Sequence, residues 1–475
     1  MKAKQLILIC FSMLSLTKTF GLNEGYAINI QIKDYDNDTL YLAYYMGDQI
    51  YIKDTAVLDK SSKMFTFKGE IALSAGLYML VLQGSILHLN FIVSEAETQQ
   101  FTLITKKDEP LKKIELKNSA DNNIYFEYMK FISKKTKESE LIKLEKDSLI
   151  RLNKLIALDN EVKNEQSKVI KKREKKGFAA FIKSTIDVES PQYLDEKDVE
   201  KRRFAQYFYI KQHYFDNIDL KNDFLLRTPT LFPKINYYIE KLTSPHPDSI
   251  YQSIDFVLKQ MQPKSEMFRF YFLHYFNKFA KSNLVGYDAV WTLMTREYID
   301  KGLCNDFLPE ENRLKLIDQA RRNYPVLIGK KAPNLKVFDF DQKPINLYDV
   351  KAKYTILYYY STTCGTCAKQ SPKIAAFMKK MKVQNQNVKI ITIGSDREVN
   401  MPKFKGYIEE KGLNDCINTI DAINSFRVNY DGTSTPKVYF LDENKVIRFK
   451  NIAADQLEEI YDAIIKEDNE QLKKH

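Results

Sequence analysis

Residues Tyr354 to Met381 read YTILYYYSTTCGTCAKQSPKIAAFMKKM. Seven residues rich in tyrosine and β-branched types, Tyr354 to Tyr360, have the composition of a buried strand. A short polar turn follows, and Cys364-Gly365-Thr366-Cys367 opens a segment whose apolar positions Ile374, Phe377, Met378 and Met381 recur every three or four residues. That spacing predicts a helix beginning at the cysteines. A helix N-terminus presents unpaired N–H groups and partial positive charge, which favour the thiolate form of Cys364. Cys367 lies one turn further on, close enough to attack a mixed disulfide formed by the first sulfur. Gly365 is expected to let the backbone turn without a clash and to leave room for a partner chain.

This strand, turn and C-x-x-C helix resemble the active site of the thioredoxin superfamily, in the extracytoplasmic thiol–disulfide oxidoreductase branch of TlpA-like and AhpC/TSA-like proteins. Pro372, eight residues after Cys364, stands where such proteins often carry a helix-kinking proline. Thr435-Pro436, before the apolar run Val438 to Leu441, stands where the family places a cis-proline facing the cysteines. The resemblance implies that Cys364 is the nucleophile and Cys367 the resolving cysteine, with Thr435 and Pro436 binding the substrate strand. It implies no cofactor beyond the redox-active Cys364–Cys367 disulfide. The partners would be protein thiols or disulfides and an upstream electron donor, soluble or membrane-bound. Gly365-Thr366 lacks the Pro-His of the oxidising enzymes, so reductase or isomerase activity is expected before oxidase activity.

Three positions depart from the family pattern. Thr363 precedes the first cysteine where thioredoxins usually have tryptophan, and Gly365-Thr366 replaces Gly-Pro. Tyr358 occupies the position of the buried aspartate that assists proton transfer, and a phenol of pKa near ~10 is a poor substitute. Asp396, after the next strand, is the candidate stand-in.

Other chemistries fit less well. A zinc site would need a second C-x-x-C or paired histidines, and the chain has neither; no metal is expected. Ser361-Thr362-Thr363-Cys364 resembles the Thr/Ser-x-x-Cys of peroxiredoxins, but the proline expected four residues before Ser361 is Leu357. A thiol peroxidase therefore stays as one alternative. A binding scaffold with a structural disulfide is the other.

The chain has 475 residues, more than one core usually fills, and a formal charge of +11 spread through mixed Lys/Glu stretches. Nothing resembles a nucleic-acid-binding module. Residues 1–21 have the shape of a signal peptide: Lys2 and Lys4, an apolar core Leu6 to Leu16, and small residues beyond it. Lipid attachment at Cys10 is disfavoured by the large Ile9 before it and the apolar residues after it. A periplasmic or secreted protein is expected, in a compartment where disulfides persist.

Three domains follow. Residues 22–108 alternate apolar and polar residues, as at Ile28, Ile30 and Ile32, with turns at Asp36-Asn37-Asp38, Ser61-Ser62-Lys63 and Gly84-Ser85. They predict an antiparallel β-sandwich-like domain. Residues 109–326 predict an all-α region, its first part either one long exposed helix or a short antiparallel pair. The aromatic-dense segments Phe204 to Phe215 and Phe268 to Phe279 are expected to pack as core, as is Trp291. Residues 327–475 predict an α/β thioredoxin fold. Cys304 and Cys416 remain, as buried or free thiols or as a bridge between the last two domains.

Overall fold

The alternation between Tyr26 and Lys117 builds eight strands: β1 (Tyr26–Lys33), β2 (Thr39–Met46), β3 (Gln49–Asp59), β4 (Met64–Gly69), β5 (Gly76–Leu82), β6 (His88–Val93), β7 (Gln100–Lys106) and β8 (Glu115–Lys117). The structure, a computed structural model, describes residues 25–83, 88–173, 177–396 and 401–472. The signal-like segment, Cys10 and the turn expected at Gly84-Ser85 lie outside the described residues. The strand order is β6-β5-β2-β3-β4-β1-β7-β8. Pairing is antiparallel except between β1 and β7, which run parallel from Ala27 beside Gln100 to Lys33 beside Lys106. The five strands between them bring the chain back beside its first strand in the same direction, which a hairpin cannot do.

The long β3 pairs with β2 along most of its length and passes to β4 at Leu58 and Asp59. The two halves of the sheet thus face one core, Ile28, Phe65 and Leu103 from one side meeting Leu42, Leu80 and Phe91 from the other. The edge strand β6 is closed by the first helix, α1 (Ala120–Lys143). Its buried Asn122 accepts the Ile92 N–H at 2.7 Å and donates to the Ile92 carbonyl at 2.8 Å.

Of the two readings for the next segment, the structure takes the antiparallel pair. Asp147 caps α2 (Ser148–Lys172), accepting the N–H groups of Leu149 and Ile150. Arg173 at its end lies 3.4 Å from Asp121 at the start of α1, and Lys135 pairs with Glu161 midway. The remaining helices are α3 (Gly177–Ser184), α4 (Val199–His213), α5 (Leu231–Glu240), α6 (Pro247–Gln260), α7 (Glu266–Ala280), α8 (Asp288–Met294) and α9 (Glu310–Asn323). Phe268, Phe272, Phe276 and Phe279 of α7 are buried, as is Trp291. The expectation fails on α4: Phe204 and Phe208 are 60% and 61% exposed, and no residue of that helix is buried. Phe204, Tyr207 and Phe208 share one face at i, i+3 and i+4, but helical spacing of aromatic residues does not by itself cover that face.

The C-terminal domain has strands β9 (Lys336–Phe338), β10 (Pro344–Asn346), β11 (Tyr354–Tyr360), β12 (Val388–Gly394), β13 (Ile417–Ile420), β14 (Lys437–Leu441) and β15 (Ile447–Lys450). Its helices are α10 (Gly365–Val383), α11 (Met401–Lys411), α12 (Ser425–Asn429) and α13 (Leu457–Leu472). The sheet order is β10-β9-β13-β12-β11-β14-β15, with β11, β12 and β13 parallel and β14 and β15 antiparallel. Every residue of β11 is buried. Ile356, Tyr358 and Tyr360 face α10, α11 and α13, whereas Leu357 and Tyr359 face Phe426 and Tyr430. A strand covered on both sides reads as an unbroken apolar run, which is why Tyr354 to Tyr360 does not alternate.

The chain divides into two compact units, and the one that holds this domain also takes in Phe272 onward. Within that unit is a buried ion pair that the sequence pattern did not reveal. Lys450 of β15, 2% exposed, lies 2.5 Å from Asp288 of α8 and donates to Asn323 of α9 at 3.1 Å. Among the described residues, no helix is long and apolar enough to cross a membrane.

Candidate active site

The parallel strand β11 delivers the chain to the sheet's C-terminal edge, where the loop Ser361-Thr362-Thr363 turns it into α10. Cys364 is the N-cap of that helix, and its sulfur accepts the Cys367 N–H at 3.1 Å. Here the sulfur takes the place of the side-chain oxygen that usually satisfies an orphan donor at a helix start. Cys364 and Cys367 are joined as a disulfide, their Cα atoms 5.2 Å apart. Cys364 is half-buried and Cys367 is fully buried, so solvent reaches only the first sulfur. A Cβ built on Gly365 would meet nothing within 4 Å. The glycine is thus not forced by crowding inside the chain.

Thr435 and Pro436 come to the same place from the other side. Their peptide bond is cis, and the Thr435 carbonyl oxygen lies 3.7 Å from the Cys364 sulfur. Pro372 lies inside α10. Among the described residues no group of His, Cys, Asp or Glu has the arrangement of a metal site.

Asp396, the candidate stand-in for a buried carboxylate, is engaged elsewhere. Its carboxylate accepts the Thr362 N–H at 3.0 Å, the Thr362 hydroxyl at 2.7 Å and the Ser361 hydroxyl. It braces the loop before Cys364. Under Cys367 the structure places Tyr358 instead, fully buried, its hydroxyl donating to the Cys367 carbonyl at 3.3 Å and lying 2.9 Å from Ser371 Oγ. Ser371 is in turn 2.9 Å from the Tyr407 hydroxyl. Burial pushes the Tyr358 phenol up, so it remains protonated and acts through hydrogen bonds. Ser371 and Tyr407 were missed in the sequence; the only available signal was that Ser371 stands one helical turn after Cys367.

Beside the loop that precedes Cys364 opens a cleft of about 780 Å³, lined among others by Tyr359, Asp396, Asp421, Arg427 and Thr433. Burial raises the Asp421 carboxyl, partly offset by the N–H groups of Arg427 and Phe426 that it accepts. The two remaining cysteines form no bridge. Cys304 is a buried free thiol and Cys416 a half-buried one.

The AhpC/TSA family model matches residues 328–450. Thiol-disulfide oxidoreductase ResA of Bacillus thuringiensis (strain Al Hakam) is 29% identical over 140 residues, covering 29% of this chain and 77% of that protein. The C-terminal domain belongs to the thioredoxin superfamily. Among solved structures, a domain of a possible thiol-disulfide isomerase from Cytophaga hutchinsonii is 33% identical, over 32% of this chain and all of that one, with a TM-score of 0.29. A thioredoxin-like protein from Bacteroides caccae covers 57% of this chain and 96% of its own, at 15% identity and a TM-score of 0.34. Upstream of the thioredoxin-superfamily domain, residues 26–125 match the domain of unknown function DUF4369, and residues 158–299 match DUF5106.

Proposed function

We propose that the protein is an exported thiol–disulfide oxidoreductase working through Cys364 and Cys367, as a reductase or isomerase of protein disulfides. The observation that carries this reading is the half-buried Cys364 sulfur at the mouth of α10, accepting the Cys367 N–H and facing the Thr435 carbonyl. In the reduced enzyme the Cys364 thiolate attacks one sulfur of a substrate disulfide. A mixed disulfide forms, and the other substrate sulfur leaves as a thiolate that takes a proton from solvent. Cys367, once deprotonated, attacks the Cys364 sulfur, and the second substrate sulfur leaves. Two electrons have passed to the substrate, and the enzyme disulfide must be reduced again by a donor dithiol. Substrate backbone would lie along Thr435 and Pro436. Export is supported by the signal-like pattern of residues 1–21.

Insulin reduction with dithiothreitol as donor tests the assignment. Cys364→Ser should abolish the catalysed rate, and Cys367→Ser should accumulate a mixed disulfide visible on a non-reducing gel. Full activity in Cys364→Ser would overturn it. A disulfide that resists reduction at the potentials of glutathione buffers would point instead to a structural cross-link.

A further inference from the structure

At the opposite end of the same sheet lies a second cleft, of about 730 Å³, that the proposed redox chemistry does not use. Lys351 and Lys353 precede β11, whereas Cys364 follows it, so roughly 20 Å of strand separates the two places. The turn between β14 and β15, Asp442 to Val446, closes the cleft: Thr355 pairs with Leu441, and Lys331 bridges to Val446. Four lysines, Lys331, Lys351, Lys353 and Lys445, line it against one carboxylate, Glu443.

The carboxylates nearby, Glu443 and Asp442, neutralise them only in part. Among the described residues, none of the four has a carboxylate oxygen within 4.0 Å. Lys331 stands over the Tyr348 ring at 4.6 Å, and Lys351 reaches the Tyr348 carbonyl at 3.5 Å. Lys445 is 5% exposed, and its ammonium donates to the Thr355 hydroxyl at 2.8 Å. It also sits at φ +65°, a backbone region that costs a side-chain-bearing residue and that glycine would fill more easily. Burial and the charge of Lys351 push the Lys445 ammonium down, and the charge of Asp442 on the same turn offsets part of this. Cations brought together in a partly enclosed place are unfavourable unless an anion joins them.

We propose that this cleft binds a phosphate group, carried by a free phosphate or pyrophosphate or by a lipid headgroup. Lysines bind phosphate as point charges without the planar match that arginine needs, and four of them around one cleft suit a multiply charged oxyanion. The cleft falls within the usual range for small ligands, and its polar lining favours an anion over an apolar molecule.

The test uses the full chain and two probes at fixed ionic strength: pyrophosphate by calorimetry, and phosphatidylglycerol vesicles by co-sedimentation. The wild type should bind at least one probe saturably. Binding to pyrophosphate alone assigns a free phosphate, and binding to vesicles alone a headgroup. Lys331→Ser/Lys351→Ser/Lys353→Ser, all at exposed positions, should weaken binding at least ~10-fold, since each lost contact removes a charge-assisted bond. Lys445→Met should weaken it similarly, and insulin reduction should not change. The control Lys134→Ser/Lys137→Ser/Lys143→Ser removes the same net charge and should bind as the wild type does. Absence of saturable binding to either probe overturns the proposal, as does equal loss in the control.

Discussion

The Tyr358 hydroxyl lies 2.9 Å from Ser371 Oγ, in the fully buried layer beneath Cys367. It spends one bond on the Cys367 carbonyl and leaves Ser371 to reach Tyr407, so three hydroxyls hang on one another. Tyr358→Phe keeps the ring and its stacking on Tyr360 but strands this chain. We expect a loss of about 1–2 kcal/mol in stability, because a buried partner is left short of a hydrogen bond. The urea midpoint should fall with its slope unchanged. No change in the midpoint would mean that the hydroxyls rearrange freely.

Thiol reactivity should separate the cysteines sharply. Burial pushes the Cys416 thiol up to about 12, and burial drives Cys304 up as well. Both are therefore protonated at neutral pH, while Cys364 stands half-exposed at a helix N-terminus. After reduction, iodoacetamide at pH 7 should label Cys364 in the native protein and leave Cys304 and Cys416 untouched until denaturant is added. Peptide mapping reads this directly. Labelling of Cys416 at the rate of Cys364 would show that the thiol is freer than its packing implies.

Legibility differed between the two halves of the site for a physical reason. Cys364, Cys367 and the strand before them follow from local rules: composition, helical period and the chemistry of a helix start. The apposition of Thr435 depends on β14 pairing with β11, a contact between residues far apart in sequence, and only the family resemblance located it. Asp396 looked like a free carboxylate after a strand, because nothing in the sequence says that its oxygens are taken by Thr362. The parallel β1–β7 pair and the exposed Phe204 were illegible in the same way. Alternation tells which residues face a core but not which strand lies alongside, and aromatic content does not tell which helix is covered.

Acid should act on the closing helix. Asp468 of α13 accepts the Tyr354 hydroxyl at 2.6 Å and Arg448 Nη1 at 3.0 Å. Burial pushes its carboxyl up, but the Tyr354 and Arg448 hydrogen bonds and the Arg448 charge outweigh this and hold it below the ordinary aspartate value. A group depressed in the folded state contributes stability above its unfolded pKa, and that contribution disappears as pH falls through the folded value. Wild-type stability should therefore drop from about pH 4 downward more steeply than that of Asp468→Asn. Parallel curves for the two proteins would remove Asp468 from the acid response.

The Lys450–Asp288 pair predicts an asymmetry between its two partners. Lys450 is almost wholly buried, whereas the Asp288 side chain is 26% exposed. Removing the carboxylate takes the counter-charge from an ammonium that cannot reach water, so Asp288→Ala should cost about 2–4 kcal/mol, near the range for a broken buried pair. Lys450→Met removes the buried charge and leaves an aspartate that solvent can hydrate, so its cost should be smaller, under about 2 kcal/mol. Trp291, the only tryptophan, lies on α8 one turn after Asp288, and its fluorescence reports the unfolding of this segment directly. If the two substitutions shift the urea midpoint equally, the ammonium is better solvated than its 2% exposure implies, and the pair does not hold α8 to β15.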